Sequence, residues 1–385
     1  MIYLDNAATT WPKPAIVYDS VLDAMKNKGG NPGRSGHFLS MKANKILDQT
    51  RFSLSKLFSI DDLTRIVFCL NATDALNLGI NGIVKKGDHV ITSTMEHNSV
   101  TRPLEHLRKF GVEIDKVHMD QIDGVKTEDI NRLIKKNTKL IVITHASNVT
   151  GTVNPISEIG SLCKKKNIIF LVDASQSAGS LDIDVDKMNI DLLAFPGHKG
   201  LLGPSGTGGL YIKDSDNISL IPSRYGGTGI YSEMPLQPEQ LPFYYESGTQ
   251  NSQGLAGLNA GVEFILNETP QKIHHRENKL ISYTLDRLND MKDITIYGPN
   301  GKTEQASVIS ININGVDCTD AAAILDTSFD IAVRSGLHCA PDAHKTLGTF
   351  DQGGTLRISP GYFNNFDEID KLIDAIKEIS EELGS

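Results

Sequence analysis

The stretch that decides the fold is residues 168–199, IIFLVDASQSAGSLDIDVDKMNIDLLAFPGHK. The apolar run 168–172 predicts a buried strand, and this strand ends at Asp173. A second apolar run, 192–195, predicts another buried strand, which is followed shortly by Lys199. Open α/β sheets bind ligands at the carboxyl ends of their strands. The stretch therefore predicts that Asp173 and Lys199 face one site, although each residue taken alone also fits a capped strand or a surface lysine.

The composition is typical of a soluble globular enzyme. The chain has 385 residues, of which 39% are hydrophobic and 22% are charged, and this length allows two or three domains. The formal net charge of -9 argues against nucleic acid as the main partner. No apolar run approaches the roughly 20 residues of a membrane span, and the first residues lack the pattern of a signal peptide. We therefore expect a cytoplasmic protein that does not associate with membranes.

The cysteines are scattered along the chain. Cys69, Cys163, Cys318 and Cys339 show no Cys-x-x-Cys spacing. This pattern favours reduced thiols over a disulfide framework or a zinc site. We expect no metal centre.

Predicted strands and helices alternate from residue 66 to residue 212. This alternation indicates an α/β fold with a mainly parallel, doubly wound sheet. The remainder of the chain is typical of a smaller α+β unit. We expect a large domain over 15–262 and a small C-terminal domain over 263–385, which also takes in residues 1–14.

The order Asp-x-x-Gln followed by Gly-His-Lys resembles the class V aminotransferase family of pyridoxal-phosphate enzymes. The resemblance implies a fold-type I transferase with a seven-stranded type of sheet. It implies that Lys199 holds the cofactor covalently and that Asp173 pairs with the pyridine nitrogen. It also implies that Gln176 bonds the ring hydroxyl and that His198 helps to hold the phosphate.

The turn after the strand predicted at 66–70 is a candidate phosphate site. The free N–H groups at a helix N-terminus, together with the helix dipole, favour an anion. By resemblance the phosphate lies here, with donors from Ala72 and Thr73. The Gly-Thr pair usual in the family is replaced by Asn71 and Ala72 in this chain.

Three further motifs match the family in order. His97 follows the strand predicted at His89–Ser93, and the resemblance implies that its ring stacks on the cofactor and transfers protons. Asn148 lies in a Ser-Asn-x-x-Gly turn and would reach the ring hydroxyl or the substrate carboxylate. Thr249 lies in a Glu-x-Gly-Thr motif and would cross a subunit interface to the partner's phosphate, which implies a homodimer with shared sites.

The stretch 334–341, RSGLHCAP, is similar to the Arg-x-Gly-x-x-Cys-Ala loop of the cysteine desulfurase branch. In that branch the cysteine attacks the substrate sulfur, so the resemblance assigns this role to Cys339. Many relatives have His at the position of Leu337. Arg357 resembles the family's clamp for the substrate carboxylate, a task suited to a guanidinium fork.

Two N-terminal residues complete the predicted substrate site. Ala7 lies in a segment that borders the substrate in the desulfurase branch. Arg34 lies in a turn-rich stretch, where it either meets a carboxylate or is an ordinary loop cation.

The resemblance implies a cysteine desulfurase. Such an enzyme converts L-cysteine to L-alanine and leaves a persulfide on Cys339, which then passes to a sulfur-acceptor protein. Selenocysteine lyase, cysteine-sulfinate desulfinase and a class V aminotransferase remain alternatives. A non-enzymatic regulator with a degenerate site is a further alternative, and the joint presence of Lys199, Asp173, Cys339 and Arg357 argues against it.

Overall fold

The computed structural model describes residues 1–33 and 36–384. Within these ranges the helices are, in chain order, α1 (Ala15–Asn27), α2 (Phe38–Phe58), α3 (Ala72–Ile83), α4 (Asn98–Arg108), α5 (Thr127–Leu133), α6 (Ile156–Lys166), α7 (Ser252–Glu268), α8 (Pro270–Asn289), α9 (Cys318–Phe329), α10 (Pro341–Leu347) and α11 (Phe366–Leu383). The strands are β1 (Ile2–Tyr3), β2 (Ile66–Cys69), β3 (His89–Ser93), β4 (Glu113–Val117), β5 (Met119–Asp120), β6 (Gly124–Val125), β7 (Thr138–Thr144), β8 (Ile169–Asp173), β9 (Leu192–Pro196), β10 (Gly208–Ile212), β11 (Ile294–Tyr297), β12 (Ile309–Ile313), β13 (Ile331–Ala332), β14 (Arg334–Gly336) and β15 (Thr355–Ile358).

The central sheet has seven strands in the order β2-β10-β9-β8-β7-β3-β4. The pairings from β9 through to β4 are parallel, whereas β10 is antiparallel to both β2 and β9. The connection between β9 and β10, residues 197–207, carries no helix. A parallel return needs a longer crossover, so this short connection reverses the chain. The prediction of a mainly parallel α/β sheet is confirmed.

The central strands are buried because both faces of the sheet are covered. In β8, Phe170 and Val172 pack into one hydrophobic cluster, whereas Ile169 and Leu171 pack into the cluster on the other face. This alternation follows from the two-residue period of a strand. On one face α3 packs so closely on the sheet that a Cβ at Gly79 would lie only 2.5 Å from the side chain of Leu171.

A second, four-stranded antiparallel sheet has the order β11-β12-β15-β14. Residues of α8, α9 and α11 form a separate hydrophobic cluster with this sheet, and Leu4 belongs to the same cluster. The chain's first strand, β1, pairs in parallel with β13. The N-terminal residues therefore lie against the C-terminal sheet. The domain division at residue 262 stays a prediction.

Of the helices within 1–33 and 36–384, none is long and apolar enough to cross a membrane.

Candidate functional site

A cavity of about 260 Å³ lies at the carboxyl ends of the central strands, beside β14 and β15. Ten of the residues predicted from the sequence line it together. They are Ala7, Ala72, Thr73, His97, Asn148, Asp173, Gln176, His198, Lys199 and Arg357.

Asp173 contributes a buried carboxyl to the cavity, and Lys199 contributes the amine of a partly buried side chain. Asp173 ends β8 with only 2% of its surface exposed, and it accepts hydrogen bonds from the backbone N–H and hydroxyl of Ser175. Burial raises the pKa of Asp173. Burial lowers the pKa of Lys199 to about 8, an effect that Asp173 opposes and that Arg357 increases. Near neutral pH the amine therefore gives up its proton far more readily than an exposed lysine does.

The ring of His97 is fixed by the start of α4. Its Nδ1 accepts the backbone N–H of Ser99 at 3.0 Å, and the Ser99 hydroxyl lies 2.8 Å from the same nitrogen. The Ser99 hydroxyl also lies 2.7 Å from the hydroxyl of Thr73 in α3. Burial and the charge of Lys199 lower the pKa of His97 to about 4, so the ring is neutral and carries its proton on Nε2. Sequence reasoning missed Ser99, whose only signal is its place two residues after His97.

The start of α3 offers backbone N–H groups to the cavity. Asn71 caps this helix by accepting the N–H of Asp74 at 2.9 Å, and Ala72 and Thr73 line the cavity beside it. The buried Nδ1 of His198, another lining residue, has no hydrogen-bond partner among the described residues. Burial lowers the pKa of His198 to about 4. Helix N–H groups and an unpartnered ring nitrogen fit a phosphate-bearing ligand.

Two arginines that line the cavity lie side by side on neighbouring strands. Arg334 of β14 is the register partner of Arg357 of β15. Arg357 is only 1% exposed, and its guanidinium donates to Asp5 Oδ1 at 2.8 Å and to the Asn148 carbonyl at 3.1 Å. Its Nε has no partner in the described part of the chain. Sequence reasoning did not find Asp5.

Cys339 lies beside the cavity on a tight turn. The turn places His338 and Cys339 at positive φ angles of 47° and 57°. The carbonyl of Cys339 accepts the N–H of Asn98 at 2.7 Å, and the guanidinium of Arg334 lies 3.7 Å from the exposed Cys339 sulfur. The thiol is therefore accessible to solvent and close to a cation.

His338 lines the cavity, and it is a residue that sequence reasoning did not single out. It is 3% exposed, and its Nε2 lies 3.0 Å from the Thr355 hydroxyl. Burial lowers its pKa to about 2, so the ring is neutral. The structure thus has an imidazole at the base of this turn even though residue 337 is a leucine.

Gln176 and Thr249 are two further predicted residues whose surroundings the structure describes. Gln176 lines the cavity, but its side-chain N–H donates to the Ala7 carbonyl at 3.0 Å. Thr249 is exposed and lines a different cavity, of about 620 Å³, so within one chain it does not join the site. Arg34 lies outside the described residues.

Comparison with known proteins gives the same family throughout. The Aminotransferase class-V family model matches residues 2–372. A "Probable cysteine desulfurase" of Methanothermobacter thermautotrophicus is 34% identical over 98% of this chain and 94% of that protein. The "Cysteine desulfurase" of Haloferax volcanii is 31% identical over 98% of this chain and 88% of that protein.

Solved structures agree with these relatives. The apo structure of a cysteine desulfurase from Thermococcus onnurineus has a TM-score of 0.92 at 32% identity, over 99% of this chain and 95% of that one. A cysteine desulfurase from Escherichia coli has a TM-score of 0.89 at 25% identity, with the same coverage. The predicted fold class, that of the fold-type I transferases, is confirmed. The chain belongs to the class V aminotransferase family.

Proposed function

We propose that this protein is a pyridoxal-phosphate-dependent cysteine desulfurase that converts L-cysteine to L-alanine and leaves a persulfide on Cys339. The observation that carries the proposal is the position of an exposed thiol beside a cavity that also contains Lys199 and Asp173. An aminotransferase needs the cavity and the lysine, but it has no use for a thiol at this place. The desulfurase names of the relatives support the same conclusion.

The cavity residues fit pyridoxal phosphate. Lys199 would hold the cofactor aldehyde, and Asp173 would face the ring nitrogen. The phosphate would take the N–H groups of Ala72 and Thr73 and the free nitrogen of His198. When bound, the cofactor supplies an electron-withdrawing ring that stabilises negative charge on the substrate carbon. Gln176 and Asn148 are proposed to contact the ring hydroxyl, and His97 is proposed to stack on the ring.

The protein's own groups would then orient the substrate and move its protons. Arg357 would bind the substrate carboxylate, because its buried guanidinium keeps an Nε–H without a partner. Lys199 would take the α-proton, since its lowered pKa of about 8 leaves part of the amine unprotonated near neutral pH. His97 would serve as a second acid or base. Ala7 and Arg34 are proposed to border the substrate.

The sulfur transfer would use Cys339 as nucleophile. Its thiolate attacks the substrate sulfur, and an S–S bond forms as the substrate C–S bond breaks. The electron pair of the C–S bond stays on the substrate β-carbon, which takes a proton. The α-carbon regains the proton that Lys199 removed, so that the product is L-alanine. The transferred sulfur remains on Cys339 as a persulfide until a thiol of an acceptor protein attacks it. Arg334 would stabilise the negative charge on sulfur through the 3.7 Å contact.

We also propose that the active form is a homodimer. The helices α1 and α2 expose several large apolar side chains, and such patches are typical of interfaces. The most exposed of them are Ile16, Met25, Phe38 and Met41, with 54–63% of their surfaces accessible. Thr249 would then reach the partner's cavity. The unpaired cysteines favour a reducing, cytoplasmic location.

The central test compares Cys339→Ser with the wild type and with Cys318→Ser, a buried control. With dithiothreitol present to reduce the persulfide, wild type and control should release alanine and sulfide from L-cysteine. Without reductant, mass spectrometry should find one added sulfur on the Cys339 peptide. Cys339→Ser should lose both properties but keep the cofactor's visible spectrum. Turnover of cysteine by Cys339→Ser at the wild-type rate would refute the proposal.

The same variant distinguishes cysteine desulfuration from the selenocysteine lyase and cysteine-sulfinate desulfinase activities. Their leaving groups depart without attack by a thiolate, so Cys339→Ser should keep most of its activity on selenocysteine and cysteine sulfinate. Addition of 2-oxoglutarate tests the aminotransferase alternative, which predicts formation of glutamate.

A further inference from the structure

Asp5 connects the N-terminal segment to the proposed substrate clamp. It follows β1 and forms an isolated parallel bridge with Ser359, two residues beyond Arg357. Through this bridge its carboxylate reaches Arg357, with Nη2 2.8 Å from Oδ1. The Asp5 side chain is 20% exposed and that of Arg357 is 1% exposed, so this ion pair is largely shielded from solvent.

Asp5 changes the charge balance of the cavity. The cavity has three cationic side chains, Lys199, Arg334 and Arg357, and one lining carboxylate, Asp173. The lining histidines are neutral, because burial lowers the pKa of each of them. Asp5 adds a second carboxylate, which contacts Arg357 directly. Without Asp5, the guanidiniums of the register partners Arg334 and Arg357 would lie on adjacent strands without this negative charge.

Two adjacent guanidiniums would suit a ligand with two acidic groups. One group would bind Arg357, and the other would lie toward Arg334 and Cys339, where the substrate sulfur is proposed to be. Asp5 opposes such a ligand because its charge repels the additional anion. In a site shielded from water, repulsion between two carboxylates several Å apart is screened far less than at the surface.

We infer that Asp5 is a specificity-determining residue that makes the site prefer an amino acid with one acidic group over an amino acid with two. This inference rests on the proposed function and deepens it, because it favours L-cysteine over cysteine sulfinate. Asp5 touches Arg357 and acts through its charge. No bond to the substrate is required of it.

The test uses two amino acids without sulfur, so that its outcome does not depend on desulfuration. Binding of L-alanine and L-aspartate to the holoenzyme is measured by calorimetry and by the change in visible absorbance. In Asp5→Asn the shape of the side chain is kept and the charge is removed. The ratio of aspartate affinity to alanine affinity should rise about tenfold over the wild type, which corresponds to about 1.4 kcal/mol.

Three further variants make the result decisive. Asp5→Ser is a second neutral variant and should behave like Asp5→Asn. Asp5→Glu restores the charge and should keep the wild-type ratio. Asp330→Asn removes an exposed carboxylate that pairs with the N-terminal amine, so it controls for general effects on this segment. Melting temperatures close to that of the wild type establish that the variants are folded.

An unchanged ratio in both neutral variants, or equal behaviour of Asp5→Glu and Asp5→Asn, would overturn the inference. Failure of the wild type to bind L-alanine would overturn it as well. The ratio of kcat/KM for cysteine sulfinate to that for cysteine should rise in the same variants. A wild type that binds alanine but does not desulfurate cysteine would refute the proposed function and leave the binding test of Asp5 in force.

Discussion

The side-chain N–H of Asn148 lies 2.7 Å from the carbonyl oxygen of His338, the residue before Cys339. Asn148 follows β7 of the central sheet, whereas His338 follows β14 of the second sheet. The backbone N–H of Asn98 donates a second hydrogen bond to this turn, at the carbonyl of Cys339. Two hydrogen bonds from residues that follow strands of the central sheet therefore fix the turn that carries the thiol.

Asn148→Ala should loosen this turn, because it leaves a buried carbonyl without its donor, at a cost of about 1–3 kcal/mol. We expect faster hydrogen exchange of the amides in 336–342 and slower persulfide formation on Cys339. Hydrogen-exchange mass spectrometry and the mass of the Cys339 peptide measure the two effects.

Asn98→Ala is the matched control, since Asn98 contacts the turn through its backbone only. It should leave hydrogen exchange at 336–342 unchanged. Equal protection of the turn in Asn148→Ala and the wild type would show that the 2.7 Å contact does not hold it.

The lowered pKa of Lys199 predicts how cofactor capture depends on pH. Only the unprotonated amine reacts with the aldehyde, and burial brings the pKa of this amine to about 8. The rate at which pyridoxal phosphate binds to apoenzyme should rise with pH and level off above about 8. Stopped-flow absorbance measures this profile, and a midpoint near the ordinary lysine value of about 10.4 would contradict it.

Lys199→Ala should bind no cofactor covalently. The variant should lack the visible band of the holoenzyme and should gain no mass on borohydride reduction. A yellow variant that is reduced normally would show that another lysine holds the cofactor.

Arg357→Ala should weaken cysteine binding far more than cofactor binding. Loss of one partner of a buried charged pair costs roughly 2–5 kcal/mol, and about 2.8 kcal/mol corresponds to a hundredfold change in affinity. Arg357→Lys keeps the charge but not the fork, so its KM should be intermediate. A KM for cysteine unchanged by Arg357→Ala would remove this residue from the substrate site.

The strand pattern of the sequence was enough to predict the central sheet, and the family resemblance supplied most of the residues that line the cavity. Strand ends are short-range features, so the positions of Asp173 and Lys199 followed from the apolar runs that precede them. The strand His89–Ser93 was predicted at its observed bounds. The reversal of β10 was not predicted, because it depends on the missing helix in the short connection 197–207.

Contacts between distant parts of the chain were missed. Asp5 and Arg357 are 352 residues apart, and no local pattern links them. Glu96 is a second case. It has no exposed surface and joins the hydroxyl of Ser93 to the N–H of Thr144 across β3 and β7. Burial raises the pKa of the Glu96 carboxyl to about 8. The sequence shows only a charged residue next to His97 and gives no sign of this burial.

In the sequence Glu246 was identified only as part of the motif that contains Thr249. In the structure it forms a buried ion pair with Arg51. Its carboxylate bonds Arg51 at 2.6 Å and the N–H of Phe68 at 2.7 Å, and the charged side chains are 4% and 8% exposed. Glu246→Gln would leave a buried guanidinium without its anion. Urea unfolding should show a loss of roughly 3–5 kcal/mol.

Glu239→Gln is the control for this measurement, because Glu239 is exposed and its loss should change stability by less than about 0.5 kcal/mol. A Glu246→Gln variant as stable as this control would mean that the buried pair contributes nothing to the fold.

The exposed position of Thr249 predicts that this residue acts across the dimer. Thr249 lies outside the cavity of its own chain, so any contact with the phosphate must be made to the partner. Lys199→Ala and Thr249→Ala should each have low activity alone. In a mixed dimer one site carries both changes and the other carries neither, so each mixed dimer should have about half the wild-type activity. After full exchange of an equimolar mixture about half of the dimers are mixed, so the mixture should recover about a quarter. Size exclusion and mass spectrometry of differently tagged chains establish that the subunits exchange. Exchange without recovery of activity would place the whole site within a single chain.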